Sequence, residues 1–237
     1  MSKRYMDDEK CMIALGRVPK ATSLHKFGAR TGIQTTPVTI WDDGLTTYPW
    51  SAFATAQQLT VVGADDAGKS VTILGLDADY NAVQETVVVG SSTVGSFIRV
   101  YRAFVVGTDS NIGVLTIRTG GAGGTIVAQI NEGYAQTLMC VYTVPANHTA
   151  LLMKGVATGS ADKDMVIEFY ARAPDGTFRI QHIANLYQNN YQYEFAVPFA
   201  IPEKWDIDVR VRGYSNDSGA KVTAAFDLIL YEDKTDY

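Results

Sequence analysis

From Val38 onward the chain alternates apolar and polar residues over short runs, each closed by a cluster of turn residues. The clearest run is "KWDIDVRVRG": extended, it places Trp205, Ile207, Val209 and Val211 on one side and Asp206, Asp208, Arg210 and Arg212 on the other. Such alternation predicts one buried and one wet face, as in an antiparallel sheet packed on one side, and differs from the unbroken apolar runs of parallel sheets. In the second half "QTLMCVYTVP", "TALLMKGVAT", "KDMVIEFYARAPDG", "TFRIQHIANLY", "YEFAVPFAIP" and "KVTAAFDLILYED" join it to make seven predicted strands, with "TIVAQINEG" as a candidate eighth. A jelly roll has about eight. Pro198 and Pro202 are expected near strand ends, where a missing N–H does no harm.

In the first half, two β-rich runs over 71–76 and 83–89 flank Asp77-Ala78-Asp79-Tyr80-Asn81, which predicts a hairpin. "SFIRVYRAFVVG" and "GVLTIRTG" continue the series, and "GGAGG" at 120–124 reads either as an interdomain hinge or as a mobile hairpin tip. Residues 1–35 lack sustained periodicity; the one helical suggestion is Asp7–Leu15, with acids in its first turn and Gly16 as a stop. The expected fold is all-β: an extended N-terminal arm over 1–35, then antiparallel β-sandwich or jelly-roll modules over 36–119 and 125–237.

Charge adds a feature to that arm. The net charge of −5 divides into +4 over residues 1–30 and −9 over the remainder. A basic arm on an acidic body is suited to grip an acidic partner surface, and the residues expected to do so are Arg17, Lys20, His25, Lys26 and Arg30. Nucleic acid is a poorer partner, because the arm has no dense basic cluster and the acidic body repels phosphates. No apolar run approaches the roughly 18 residues of a membrane span, and "MSKRYMDDEKCMIALG" lacks the pattern of a secretory signal or lipid anchor. Cys11 and Cys140 form no C-x-x-C pair and are expected as reduced thiols.

Several motifs raise specific chemistry. Gly63, Gly68, Lys69 and Ser70 have the spacing of a phosphate-binding loop, but Val71-Thr72-Ile73 follows where a helix should begin, and Asp65 and Asp66 sit where a polyphosphate would lie. The expectation is a hairpin pairing Leu59–Val62 with Val71–Leu74. Asp77, Asp79 and Asn81 match the start of a calcium loop, yet Ala82 and Val88 stand where Gly and a bidentate Glu are needed. His25, His148 and His182 have no metal-ligand spacing, no G-x-S-x-G elbow is present, and the adjacent Asp42 and Asp43 have nothing local to separate their pKa values. No catalytic, metal or cofactor site is predicted. Tyr187, Tyr191 and Tyr193, interleaved with Asn and Gln, fit sugar recognition or a polar subunit interface, and equally a strand, a turn and another strand with half-buried tyrosine rings.

The segments "GLDADYNAVQETV", "IRVYRAFVV", "AQINEGYAQTLMCVYTVPA", "VPFAIPEKWDI" and "AAFDLILYED" together resemble a group of virion structural proteins of tailed bacteriophages built from β-sandwich modules. The likeness covers roughly residues 70–235 and leaves the arm uncovered. It implies a non-enzymatic component of the virion, assembled in the host cytoplasm: a capsid decoration or cement protein, with a tail or fibre module binding a receptor or carbohydrate as the alternative. The implied partners are the major capsid protein or another virion protein; particle symmetry favours a homotrimer, and charge and hydropathy favour neither nucleic acid nor membrane. No family catalytic residues carry over.

Overall fold

The structure is a computed structural model that describes residues 9–42, 46–160, 163–186 and 190–233. The chain is all-β, as its alternation predicts. A short helix α1 (Glu9–Ala14) leads into β1 (Ala21–Ile33) and the brief β2 (Val38–Thr39). There follow β3 (Leu59–Val62), β4 (Ser70–Leu76), β5 (Ala82–Val88), β6 (Arg99–Val105), β7 (Leu115–Thr119) and β8 (Thr125–Ile130). The remainder runs β9 (Val141–Thr143), β10 (His148–Gly159), β11 (Met165–Arg172), β12 (Arg179–Leu186), β13 (Asn190–Ile201), β14 (Asp206–Gly213) and β15 (Asp217–Glu232).

Two antiparallel sheets, ordered β1-β15-β10-β13 and β12-β11-β14-β2, enclose one core. β2 and β9 occupy a single strand position beside β14: Thr39 and Val38 pair with Arg210 and Val211, while Val141, Tyr142 and Thr143 pair with Asp208, Ile207 and Asp206. Val209 stitches the halves together, its C=O accepting from Ile40 N at 2.9 Å and its N–H donating to Cys140 O at 3.1 Å. With that position counted once, the described residues of the sandwich form eight strands interleaved as a jelly roll, the first beside the last in one sheet and the second beside the seventh in the other.

Everything between Ile40 and Cys140 is spliced into the middle of that one strand. The insertion has its own core, running from Trp41, Tyr48, Trp50 and Phe53 through Leu59, Ile73, Phe97 and Ile117 to Met139. Its sheets are β3-β7-β8 and β5-β4-β6. The expected hairpin over 77–81 is the β4–β5 connection, where both Asp79 and Asn81 donate their N–H to Asp77 Oδ1 at 2.9 Å. The expected pairing of Leu59–Val62 with Val71–Leu74 does not form: β3 pairs with β7, and β4 lies between β5 and β6 in the other sheet. The glycines at 120–124 are a hairpin tip between β7 and β8.

Two departures from the sequence-based expectation follow from the splice. "TIVAQINEG" forms β8 of the insertion, so it is not the jelly roll's eighth strand. That place is taken by β1, from within the segment expected to be a free arm, which pairs with β15 from Ala21↔Tyr231 to Thr31↔Lys221. Of the arm, α1, residues 15–20 and residues 34–35 lie outside the strands among the described residues.

Candidate functional site

β14 presents its two faces as the sequence predicts, but the polar one is not wet. Ile207, Val209 and Val211 enter the jelly-roll core. On the opposite face Asp206 is 1% and Asp208 0% exposed, because the insertion covers them. Asp206 accepts from Arg99 on β6 through Nε at 2.8 Å and Nη2 at 3.0 Å, from Arg172 Nε on β11 at 2.8 Å, and from Thr143 Oγ1 at 2.6 Å. Asp208 accepts from Thr39 Oγ1 at 2.8 Å, from the Trp50 indole N–H at 3.0 Å and from Arg210 Nε at 2.9 Å.

Aromatic rings fill the spaces between these charges. The guanidinium groups of Arg99 and Arg172 lie 5.6 and 5.4 Å from the Trp50 ring centre, and Phe178 sits 4.4 Å from Arg172 and 4.8 Å from Arg210. Burial disfavours the charge on Arg99, and the bidentate Asp206 carboxylate more than offsets it, holding its pKa above the usual arginine value. A network of this kind adds little net stability over an apolar contact, but a carboxylate left without its guanidinium is costly, so the two cores are held in one relative orientation.

A second set of contacts closes the splice from the β1 side. Of the residues expected to grip a partner, Arg17, Lys20 and His25 are exposed, whereas Lys26 and Arg30 point inward and are buried. Lys26 Nζ donates to Tyr101 O on β6, and Arg30 Nη1 donates to Thr39 O at 3.0 Å and Thr46 O at 3.2 Å. These two are not partner-binding surface residues; they tie the first strand to the insertion. His25 Nδ1 stands 2.5 Å from Asp227 Oδ1 on the outer face. Between Lys26 and Arg30, Gly28 lets the splice pass: a Cβ there would meet Cys140 N at 2.6 Å and Ile40 O at 2.8 Å.

Burial pushes the Lys26 amine down to about 7, with the Cys140 thiol acting against that fall and Arg102 adding to it. Burial also drives the Asp42 carboxyl up to about 7, opposed by the hydrogen bond from Leu138 N at 2.7 Å. Asp42 accepts from Asn131 Nδ2 at 3.0 Å as well, and through Leu138 it ties the segment entering the insertion to the segment leaving it. Its neighbour Asp43 lies outside the described residues.

The other motifs resolve into structure. In the 63–70 loop, Asp66 is buried and accepts from Ile112 N at 2.8 Å, Gly113 N at 2.9 Å and Lys69 Nζ at 2.9 Å. The loop thus carries its own anion, and Ser70 opens β4 where a phosphate site needs a helix. Among the described residues no group of three or more His, Cys, Asp or Glu side chains could hold a metal ion, and no helix is long and apolar enough to cross a membrane.

Opposite the splice, the jelly roll is open between the edge strands β12 and β13. Tyr191, Tyr193 and Phe195 project from β13 toward His182 on β12, whose Nε2 stands 2.5 Å from Tyr191 Oη. The Tyr191 and Tyr193 rings are parallel within 4°, and burial lowers the His182 pKa. Behind them lies an apolar cavity of about 40 Å³, reaching Phe169 and Phe226. Tyr193 is 42% exposed at this rim, and a bulge over 195–198 on the same strand leaves Val197 80% exposed. Tyr187 lies outside the described residues.

No family model matches the chain, and no curated protein does. Among solved structures it is similar to that of infectious bursal disease virus, Gx strain, at 12% identity over 91% of this chain and 72% of that one, with a TM-score of 0.24. For the Gt strain the values are 12%, 93%, 75% and 0.22. For the crystal structure of the virus's VP2 subviral particle they are 10%, 92%, 78% and 0.18. At TM-scores this low the likeness bears on neither fold nor role.

Proposed function

We propose that this chain is a non-enzymatic structural protein of a virus particle, and specifically one that decorates or cements the capsid. The observation that carries the reading is the seam: the buried Asp206, Asp208 and Arg99, with the half-buried Arg172 and Arg210, are paired within the chain and used to lock two β cores together. Chemistry turned inward in this way suits a component that must keep its shape through many repeated contacts, where affinity comes from area and copy number. The sequence resemblance to phage virion proteins points the same way. Topology alone does not choose, since jelly rolls serve capsids, lectins and cupins.

In this reading the exposed Arg17 and Lys20, beside His25, face an acidic surface of the major capsid protein or another virion protein, and copies gather as trimers at threefold positions. A tail or fibre module is the second reading; the exposed Tyr193 ring beside His182 favours it as a platform for a sugar or receptor. Electron microscopy of intact particles carrying the tagged chain tests both. Density on the shell, lost when residues 1–20 are removed and β1 is kept, is the expected result. Density in the tail favours the second reading, and a chain absent from purified particles refutes both.

A further inference from the structure

Among the described residues, the helix α1 rests on the body through Ile13 and Lys10. Its described residues run from Glu9 to Ala14, and isolated helices shorter than about 12–15 residues are marginal in water, so its conformation leans on the surface under it. That surface is the outer face of the sheet β1-β15-β10-β13. Ile13 is 3% exposed against it, and Lys10 Nζ reaches Glu194 Oε1 on β13 at 3.0 Å. A groove of about 310 Å³ runs beneath, with Met153 and Ile229 in its apolar part.

The connection over 15–20 is mostly exposed, contains Gly16 and Pro19, and ends on Lys20 at φ 62°, a left-handed conformation that a residue with a Cβ resists. A hydrogen bond from Glu232 N to Lys20 O at 2.8 Å holds it there. A short hinge kept in a disfavoured conformation between a small docked element and a stable body favours exchange of that element between copies. Fully extended, the connection reaches about 20 Å, against roughly 14 Å across a four-stranded sheet.

We infer that α1 docks in trans, leaving its own groove to seat in the same groove of a second copy of this chain. The occupant is fixed by complementarity already present: the helix that places Ile13 on the apolar floor and Lys10 on Glu194 is carried by every copy. The exchange is independent of any role in a virion, and it is tested in solution on the full chain.

A spin label is placed on the exposed Cys11, the buried Cys140 being protected, and labelled copies are mixed with isotope-labelled Cys11→Ser copies. The expected result is broadening of the Met153 and Ile229 amide signals in the copy that carries no spin label. Sedimentation should show a self-associated species that Ile13→Asp removes. Lys20→Gly, which relaxes the hinge, should weaken it about tenfold. Unbroadened signals at concentrations where the associated species is present, or a monomer at all concentrations, overturn the inference.

Discussion

The two long sides of the jelly roll are built from similar strands and end in opposite conditions. At the splice, β14 and β11 bring Asp206, Asp208, Arg172 and Arg210 to a face that is polar by sequence, with both carboxylates buried and both guanidinium groups half-buried in the fold. At the rim, β12 and β13 bring Tyr191, Tyr193 and Phe195 to a face that is apolar by sequence and partly open to solvent. Alternation along a strand sorts side chains between two faces; what then covers each face is decided elsewhere in the chain. At the splice the cover is the insertion, so each charge had to find a partner. At the rim only two edge strands meet, and surplus apolar area remains for something else to bury.

The largest effect is expected from breaking the covered side. Asp206→Ala leaves the buried Arg99 guanidinium and the half-buried Arg172 guanidinium without their carboxylate, which should cost about 3–5 kcal/mol. Denaturant unfolding followed at Trp50, Trp41 and Trp205 reads it. If the seam holds the two cores together, the insertion should melt ahead of the jelly roll in this variant. A loss under about 1 kcal/mol, with one unchanged transition, contradicts a structural role for the ion pairs.

The same side sharpens the comparison through pH. Unfolded, a lysine keeps its proton to about pH 10.4; folded, Lys26 loses it at about 7. Between those values the unfolded state binds the extra proton, so stability rises with pH from about 7 to 10. Asp42 works in the opposite sense: its folded value of about 7 exceeds the unfolded one, so the folded state holds the extra proton between pH 4 and 7. Its contribution to stability, full below pH 4, is therefore lost as pH rises to 7. Lys26→Met should flatten the upper window and stabilise the protein at pH 6 by about 2 kcal/mol. Asp42→Asn should flatten the lower one. Stability profiles for the variants that run parallel to the parent's over pH 4–10 would count against both assignments.

How far each side was legible follows from the range of its interactions. Period-two alternation revealed β14 and most of the second-half strands, and the turn chemistry of 77–81 revealed the β4–β5 hairpin, because both are local signals. β1 was unreadable as a strand: its inward positions are Lys26, Gly28 and Arg30, which face the insertion where core residues would be expected. The splice has no local signature either, since Ile40 and Cys140 become neighbours only through Val209. Arg99 and Asp206 are 107 positions apart, and nothing near either names the other. The tyrosine-rich run stands out in the sequence, but its meeting with His182 across two sheets depends on which strands form the edges.

The smallest effect, and the sharpest separation of the two sides, is expected at the rim. Tyr191→Phe keeps the ring that lines the cavity and removes only the hydroxyl that meets His182, a cost of about 0.5–1.5 kcal/mol at a partly solvated hydrogen bond. Because the contact joins the two sheets at their open edge and touches nothing at the splice, its loss should raise amide exchange in β12 and β13 alone. Exchange in β14, β9 and β6 should stay as it was. If protection falls on both sides together, the sandwich opens as one cooperative unit, and the rim is then no more independent of the seam than the seam is of itself.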